Sequence, residues 1–408
     1  MKNKSCVRKI INDPVHGFIT IDNDLIYSLI SHPYFQRLRR IKQMALAYLV
    51  YPGAVHTRLH HALGAYHLMQ KAIEELKQKG VDINDEEAQG AKIAILLHDI
   101  GHGPFSHALE HTLVDVHHEE LSLLIMEKLN EEYEGKLQIA IDIFTGKYPK
   151  TFLHQLVSSQ LDVDRLDYLA RDSFFTGVSE GVVGYERIIK MLTVHEGELV
   201  VEEKGIHSIE KFLISRRLMY WQVYLHKTVL SSELMLVNIL KRAKSLSQQG
   251  QILFATPAMH FFLQQPFSIH DFHANKQCLQ QFLLLDDNDV ISSIKVWTTH
   301  EDAILADLCT RLHNRHLFKV KFLDTETDLE IEQWKQSLKQ AYELSDTAID
   351  YYFIRDVTSN KTYQDGDEQI SILYKNGVIK SISKVENTLI TAELLVPIKK
   401  HYICYLRK

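Results

Sequence analysis

The stretch Leu-Leu-His-Asp-Ile-Gly-His-Gly-Pro-Phe-Ser-His, residues 96–107, begins inside an apolar run and ends in a turn. Two glycines and a proline are expected to end the preceding helix, because proline lacks a backbone donor and glycine adopts unusual dihedral angles. His98 and Asp99 lie at that helix end, and imidazole and carboxylate are ligands that divalent first-row metals accept. The stretch therefore predicts that both side chains project from a helix end into a cleft.

A histidine–aspartate pair alone is weak evidence, because a core histidine beside a helix-ending aspartate gives the same dipeptide. The rest of the chain supplies more ligand-type residues, since many of its 23 histidines crowd between His56 and His118. His61 lies near the start of a predicted helix, away from its apolar stripe. Asp164 lies on the predicted helix LDVDRLDYLARD, residues 161–172. With His98 and Asp99, these residues form a set that suits Mn, Fe, Ni or Zn, and Mg less well.

Other charged groups could serve a phosphate substrate beside such a metal. Three histidines, His102, His107 and His118, would act as acids or bases near neutral pH. Phosphate oxygens would be held by Arg58, Arg165, Arg216 and Lys227. These roles are hypotheses from residue type and position.

The bulk composition limits the class of protein. The 408 residues are 45% hydrophobic and 24% charged, with a formal net charge of −6, so the charge gives no global attraction to nucleic acid. Four scattered cysteines predict free thiols in a reducing compartment. We find no signal peptide and no run of eighteen apolar residues, and therefore expect a soluble cytoplasmic protein.

Apolar periodicity predicts a mainly α fold. Helical patterns dominate up to about residue 322, with a β-hairpin at LTVHEGELVVEEKG, residues 192–205. From residue 323, one helix is followed by alternating β-type runs. We therefore predict a helical core over residues 1–246, a helical extension over 247–322, and a small α+β C-terminal subdomain over 323–408.

Two helical faces are ambiguous. In PYFQRLRRIKQM, residues 33–44, an arginine- and lysine-rich face is either solvated or a docking place for phosphates and bases. Arg216, Tyr220 and Tyr224 follow at helical spacing on a long predicted helix over 209–246. This stripe fits either a core contact or a substrate wall.

Seven motifs follow one another along the chain: INDPVHG (11–17), FQRLRRIKQM (35–44), YPGAVHTRLHHALG (51–64), LLHDIGHGPFSH (96–107), HHEE (117–120), LDVDRLDYLARD (161–172) and YLHK (224–227). In this order they resemble the HD-domain metal-dependent phosphohydrolases, in the deoxynucleoside triphosphate triphosphohydrolase branch. The resemblance covers about residues 9–246 and continues more sparsely to about 321.

The resemblance implies an HD-domain helical core and hydrolysis of a dNTP to deoxynucleoside and triphosphate, by a homodimer or homotetramer. It implies metal ligation by His61, His98, Asp99 and Asp164, and catalysis by His102, His107 and His118. It implies substrate binding by Gln43, Met44, Arg58, Arg165, Tyr168, Asp172, Arg216, Tyr220 and Tyr224. Tyr168 and Tyr224 match positions that pack on deoxyribose, and Asp172 matches one that binds the 3′-hydroxyl. Lys9, Gln36 and Arg39 match positions of a nucleotide activator site.

Two departures from the family pattern concern specificity. Tyr220 stands where the human family member has a histidine in the substrate pocket. Ser31 stands where that enzyme's activator site has an acidic residue that reads guanine. Two alternatives to the dNTP hypothesis therefore stay open. One is an HD-type phosphatase or phosphodiesterase acting on another nucleotide or phosphoester. The other is a nucleotide- or nucleic-acid-binding protein on the same fold.

Overall fold

A computed structural model describes residues 8–105, 110, 112–360, 369–386, 390 and 398–407. The helices are α1 Asp24–Ser31, α2 Pro33–Gln36, α3 Arg58–Gln78, α4 Asp85–Leu97, α5 His118–Glu132, α6 Gln138–Phe144, α7 Thr151–Val157, α8 Val163–Thr176, α9 Tyr185–Met191, α10 Ile206–Met219, α11 Lys227–Gln248, α12 Pro257–Gln264, α13 Ile269–Ala274, α14 Lys276–Phe282, α15 Asp287–Trp297, α16 Ala303–His313, α17 Asp328–Ala341 and α18 Ile349–Tyr352. The strands are β1 Lys9–Asp13, β2 Gly17–Ile21, β3 Leu192–His195, β4 Glu198–Glu202, β5 Lys319–Phe322, β6 Phe353–Asn360, β7 Ser371–Leu373, β8 Ile379–Ser381 and β9 Ile398–Tyr405. The prediction of a mainly α fold with a small α+β C-terminal part is confirmed.

Helix α4 lies at the centre of the helical core. It begins with a capping box, in which Asn84 and Glu87 each accept a hydrogen bond from the other's backbone N–H at 2.9 Å. Its last residues, from Ile93 to Leu97, are at most 1% exposed, because α3, α6 and α7 pack around it. The helix ends at Leu97, so His98 and Asp99 follow directly from this buried segment.

The spacing of Ser159 and Asp162 in the sequence fits a capping box and predicts a helix that starts at Ser159. Helix α8 instead begins three residues later. Asp162, rather than Ser159, is the N-cap, and it accepts a hydrogen bond from the backbone N–H of Arg165 at 2.7 Å. The other carboxylate oxygen of Asp162 accepts from the N–H of Ser159 at 2.8 Å. Asp164 consequently falls in the first turn of α8.

The basic segment over residues 33–44 is not one helix with a solvated face. After α2 the chain forms a 3-10 turn, Arg37–Arg40, and then an extended residue, Ile41. Arg37 is fully buried and donates two hydrogen bonds, at 2.8 and 2.9 Å, to the carbonyl of His102. The docking-face interpretation is therefore wrong for Arg37, which instead fixes the loop that follows Asp99.

The long helix predicted over residues 209–246 is broken in the middle. A π-helical turn, Tyr220–Tyr224, follows α10, and His226 then caps α11 by accepting from the N–H of Thr228 at 3.2 Å. Such turns change the direction in which side chains point.

In the part of the chain that the structure describes, three small sheets accompany the helices. Strands β1 and β2 form an N-terminal hairpin, and the other two sheets contain C-terminal strands. The predicted β3–β4 hairpin is confirmed, with its turn at Glu196 and Gly197, whose φ angles are 51° and 85°. Strand β4 pairs in parallel with β7, and β8 extends that sheet. Strand β9 pairs with both β5 and β6, and β5 comes from the segment predicted as the helical extension. The three-part domain division stays a prediction.

Among the described residues, none of the helices has the length and apolarity needed to cross a bilayer.

Candidate metal centre and adjoining cavity

The four predicted metal ligands converge. The Nε2 atom of His61 lies 3.0 Å from an Asp164 carboxylate oxygen and 3.7 Å from one of Asp99. The Nε2 atom of His98 lies 3.4 Å from both carboxylates. Three separate elements contribute: the start of α3, the end of α4 and the first turn of α8. Their side chains therefore surround one point at ligand-sized separations.

The two imidazoles are oriented for metal binding. The Nδ1 atom of His98 contacts the carbonyl of Ile95 at 2.6 Å, and Nδ1 of His61 contacts Asp167 at 2.8 Å. Their Nε2 atoms are buried and have no hydrogen-bond partner of acceptable geometry. An Nδ1–H group held by a carbonyl or carboxylate leaves an Nε2 lone pair free for a cation. The residues therefore fit a divalent ion, which His61, His98, Asp99 and Asp164 would hold.

The charged groups of this cluster shift one another's pKa values. Burial lowers the pKa of His61, but the carboxylates of Asp164 and Asp167 outweigh burial and raise that pKa to about 10. Burial raises the pKa of Asp99, but His98, His102 and Arg58 hold it well below its usual range. The carboxylates are thus ionised at neutral pH, as metal ligation requires, and the raised pKa of His61 shows that the cluster favours a positive charge at Nε2, where a divalent ion would displace the proton.

A buried ionic network supports His61 from behind. Both oxygens of Asp167 are used: one contacts His61, and the other contacts Nε2 of His16 at 2.6 Å. Arg171 donates to Asp167 at 2.9 Å and to Asp13 of the N-terminal hairpin at 2.8 Å. Gly64 leaves room for this network, since a Cβ atom there would lie 2.0 Å from Asp167 and 2.1 Å from Arg171.

A second group of side chains shares Asp99. The Nε2 atom of His102 lies 3.3 Å from an Asp99 oxygen, and the rings of His102 and His118 stack with centroids 3.9 Å apart. Glu110 accepts from the backbone N–H of His118 at 3.0 Å and contacts its Nδ1 at 3.1 Å. Burial and the charge of Arg58 lower the pKa of His102 well below its usual value, so this imidazole is neutral at pH 7. His107, the third predicted catalytic histidine, lies outside the described residues.

Arg58 contacts Asp99, the residue that the metal-ligand cluster shares with the His102–His118 pair. Its Nη1 atom donates to Asp99 at 2.5 Å, and the side chain is 4% exposed at the edge of a cavity. Gly101 lets the loop approach α5, because a Cβ atom there would lie 2.3 Å from both the carbonyl of His118 and the N–H of Ser122. Close backbone contact therefore brings His102 and His118 together.

A cavity of about 430 Å³ opens beside the metal ligands. Seven of the nine predicted substrate-binding residues line it: Gln43, Met44, Arg58, Tyr168, Asp172, Tyr220 and Tyr224. Pairing between Lys42 and Thr57 places Gln43 and Met44 alongside Arg58, and the π-helical turn supplies Tyr220 and Tyr224. A cavity of this size accommodates a nucleotide-sized ligand.

One carboxylate that lines the cavity, that of Asp172, is held in place by its neighbours. Asp172 accepts from the hydroxyl of Tyr224 at 2.7 Å, and its other oxygen lies 2.7 Å from Nε2 of His56. The ring of His56 stacks on Phe175 with centroids 4.5 Å apart. Tyr168 packs edge-on against Tyr224, with centroids 6.5 Å apart.

Two predicted phosphate-binding arginines do not line the cavity. Arg165 forms an ion pair with Asp162, and Arg216 donates to the side-chain oxygen of Gln160 at 3.3 Å. Lys227, at the start of α11, lies over the ring of Phe322. The phosphate roles of these residues stay predictions.

The predicted activator-site residues lie on the N-terminal elements. Gln36 donates to the carbonyl of Ile30 at 2.6 Å and accepts from Arg39 at 2.6 Å. Lys9 lies over the ring of Tyr27. Their activator role also stays a prediction.

Sequence reasoning missed four supporting residues and one titratable residue of the cavity. The supporting residues are His16, His56, Glu110 and Asp167, and the titratable cavity residue is Glu233. Asp167 had a usable signal, because it lies three residues after Asp164 and shares that side of α8. His16 and His56 contact partners 151 and 116 positions away, which no local pattern indicates, and Glu110 contacts His118 eight positions away.

A helical core that brings two imidazoles and two carboxylates together has the arrangement that an HD-type metal centre requires. In agreement, residues 58–172 match the family model described as HD domain, and residues 183–252 match the one described as HD associated region.

The chain belongs to the HD-domain phosphohydrolase superfamily. It is similar to a crystal structure of a phosphohydrolase from Bacteroides thetaiotaomicron, with 50% identity and a TM-score of 0.94 over 98% of this chain and 100% of that one. The uncharacterized protein YwfO of Bacillus subtilis is 35% identical over 393 residues, 92% of this chain and 87% of that protein. A relative in Dictyostelium discoideum, named deoxynucleoside triphosphate triphosphohydrolase SAMHD1 homolog, is 32% identical over 58% of this chain and 49% of its own length.

Proposed function

We propose that this phosphohydrolase is a divalent-metal-dependent dNTP triphosphohydrolase that releases deoxynucleoside and triphosphate. One observation carries the proposal: the four candidate ligands adjoin a nucleotide-sized cavity lined by Tyr168, Tyr224 and Asp172. Each carboxylate oxygen of Asp172 contacts a neighbouring side chain, one that of His56 and the other that of Tyr224. The name of the Dictyostelium relative supports the same reaction.

Different residues that line the cavity would bind the phosphates, transfer protons and bind the sugar. A bound divalent ion would lower the pKa of water and polarise a phosphoryl oxygen. Arg58 would hold phosphate oxygens at the metal end of the cavity. Neutral His102 and its stacked neighbour His118 would accept or donate a proton near the α-phosphorus. Asp172 and Tyr224 would hold the 3′-hydroxyl.

Tyrosine packing would also explain rejection of ribonucleotides. Tyr168 and Tyr224 flank the part of the cavity next to Asp172. A deoxyribose packed against the two rings would leave little room for a 2′-hydroxyl. The proposal therefore includes a preference for dNTPs over NTPs.

The test measures tripolyphosphate release from each dNTP with Mn²⁺, Fe²⁺, Co²⁺, Ni²⁺, Zn²⁺ or Mg²⁺ in turn. We expect release from at least one dNTP, and little from the matching ribonucleotide. His98→Ala should abolish release, while His273→Ala, which changes an exposed histidine on α13, should not. Release of orthophosphate or pyrophosphate instead would indicate a different phosphohydrolase reaction. Binding of dNTP without hydrolysis by the metal-loaded protein would indicate a nucleotide-binding protein.

Assembly and activation are part of the proposal. We propose a homodimer or homotetramer, with a nucleotide activator bound near Lys9, Gln36 and Arg39. Sedimentation of the protein with and without nucleotide tests both points, together with the activity of an Arg39→Ala variant. A monomer whose activity does not respond to added nucleotide would contradict them.

A further inference from the structure

Two kinds of side chain line the cavity. One kind is the set of charged and titratable residues described above, which includes the metal ligands Asp99 and Asp164. The segment from the π-helical turn into α11 contributes the other kind, the apolar side chains of Val223, Leu225, Val229 and Leu230. One carboxyl group, that of Glu233, lies among them.

Glu233 faces the cavity because of its place on α11. It follows Val229 by four residues, so both lie on the helix face that lines the cavity. Among the described residues, we find no cation and no hydrogen-bond donor that pairs with its carboxyl group. Burial alone raises the pKa of Glu233 to about 7, and the carboxylate contributes to raising the pKa of Tyr402 on β9, after burial and Asp356.

The carboxyl group of Glu233 is only partly buried and is open to the cavity, among apolar side chains that cannot donate hydrogen bonds to it. A bound ligand that donates hydrogen bonds would supply these partners. The triphosphate of the proposed substrate would lie beside the metal ligands, and its sugar beside Asp172 and Tyr224. Glu233 follows Tyr224 by nine residues along the same wall of the cavity, so the base is the part of the substrate that we place beside Glu233.

We propose that Glu233 reads the edge of the nucleobase and makes guanine the preferred base, an inference that rests on the proposed dNTP hydrolysis. An ionised carboxylate only accepts hydrogen bonds. Guanine offers two adjacent donors, the N1–H and the 2-amino group, which match the two carboxylate oxygens. Adenine and cytosine place a ring acceptor beside their amino group, and thymine places its single N–H between two carbonyls.

The experiment compares kcat/KM for dGTP, dITP and dTTP at pH 8.5, where the Glu233 carboxyl group is ionised. Hypoxanthine, the base of dITP, differs from guanine only by lacking the 2-amino group. A hydrogen bond to a charged group changes kcat/KM by roughly ten- to hundredfold. We therefore expect the wild-type protein to prefer dGTP over dITP by about tenfold or more, and over dTTP by at least as much.

The Glu233→Ala variant should lose this discrimination, so that kcat/KM for dGTP is about equal to kcat/KM for dITP. Glu127→Gln, an exposed change on α5, is the control and should retain the wild-type ratio. An unchanged ratio in Glu233→Ala, or an equal fall for all three substrates, would overturn the proposal. Equal rates with dGTP and dITP in the wild-type protein would overturn it even if the variant failed to fold. Tripolyphosphate release from any dNTP shows independently that the proposed function holds.

Discussion

The Nδ1 atom of His61 lies 2.8 Å from a carboxylate oxygen of Asp167, while Nε2 of the same ring faces the other metal ligands. Asp167 thereby fixes both the tautomer and the direction of the ring. The same carboxylate contacts His16 and Arg171. One buried side chain thus connects the candidate metal centre to the N-terminal hairpin.

Replacement of Asp167 by asparagine should weaken metal binding by roughly 10- to 100-fold, because the amide orients His61 less well and does not increase its basicity. The variant should also lose roughly 1–3 kcal/mol of stability, since Arg171 keeps only part of its pairing. Competition with a chelator measures the metal affinity, and thermal unfolding measures the stability. Asp82→Asn, at an exposed carboxylate, is the control. Wild-type metal affinity in Asp167→Asn would show that the contact does not orient the ligand.

Gly64→Ala should damage the same network by steric overlap. The new methyl group would lie about 2 Å from both Asp167 and Arg171, and such overpacking costs typically about 1–3 kcal/mol. We expect a lower melting temperature together with weaker metal binding. Gly184→Ala is the matched control, because its φ is −82° and, among the described residues other than its two chain neighbours, no atom lies within 4 Å of the place its new methyl group would occupy. Equal stability of the Gly64 and Gly184 variants would contradict the close packing.

His56→Ala should impair substrate binding without affecting the metal. Asp172 would lose one of its two fixed contacts and would no longer be held at the sugar position. We expect KM for a dNTP to rise about tenfold, with metal affinity unchanged. Steady-state kinetics of His56→Ala and His56→Gln check this, since glutamine can restore a donor. Parallel losses of metal and substrate affinity would show that His56 acts on the whole site.

Glu233 should make stability depend on pH. Its folded pKa, about 7, lies above its ordinary value of 4.5, so folding favours the protonated form. Wild-type stability relative to Glu233→Gln should therefore fall as pH rises from about 4.5 to 7, and then stay constant. The free energy of unfolding of the wild type, relative to that of Glu233→Gln, should fall by at most about 3 kcal/mol over this pH range. Tyr402, the titratable neighbour on β9, stays protonated throughout this range. A difference in melting temperature that does not change between pH 4.5 and 8 would contradict the burial of this carboxyl group.

The sequence indicated the four candidate metal ligands because their motifs lie at helix starts and ends, and the structure brings them together because α3 packs against both α4 and α8. The apolar run from Ile93 to Leu97 also indicates a buried helix, and these residues are at most 1% exposed. Sequence reasoning failed for Arg37, whose spacing in a regular helix indicates a surface face. The chain leaves the helix at residue 37, and the side chain turns inward to the carbonyl of His102.

Local pattern also could not predict partners that lie far apart in the chain. The contact between His56 and Asp172 joins residues 116 positions apart, and Glu233 reaches the cavity only because the helix over 209–246 is broken at the π-helical turn. Ser159 and Asp162 fitted a capping box, but Asp162 caps the helix itself. Ser159 and Asp162 can both bond to nearby backbone N–H groups, and the stronger set of these hydrogen bonds decides where the helix starts. Sequence spacing alone does not show which of the two residues becomes the N-cap.

The central claim is that His61, His98, Asp99 and Asp164 hold one divalent cation. Anomalous X-ray diffraction from crystals grown with Mn²⁺ tests it most directly. The account predicts one strong peak about 2.0–2.3 Å from both Nε2 atoms and from an oxygen of each aspartate. A peak that omits any of these four residues, or no peak at full Mn²⁺ loading, would contradict it.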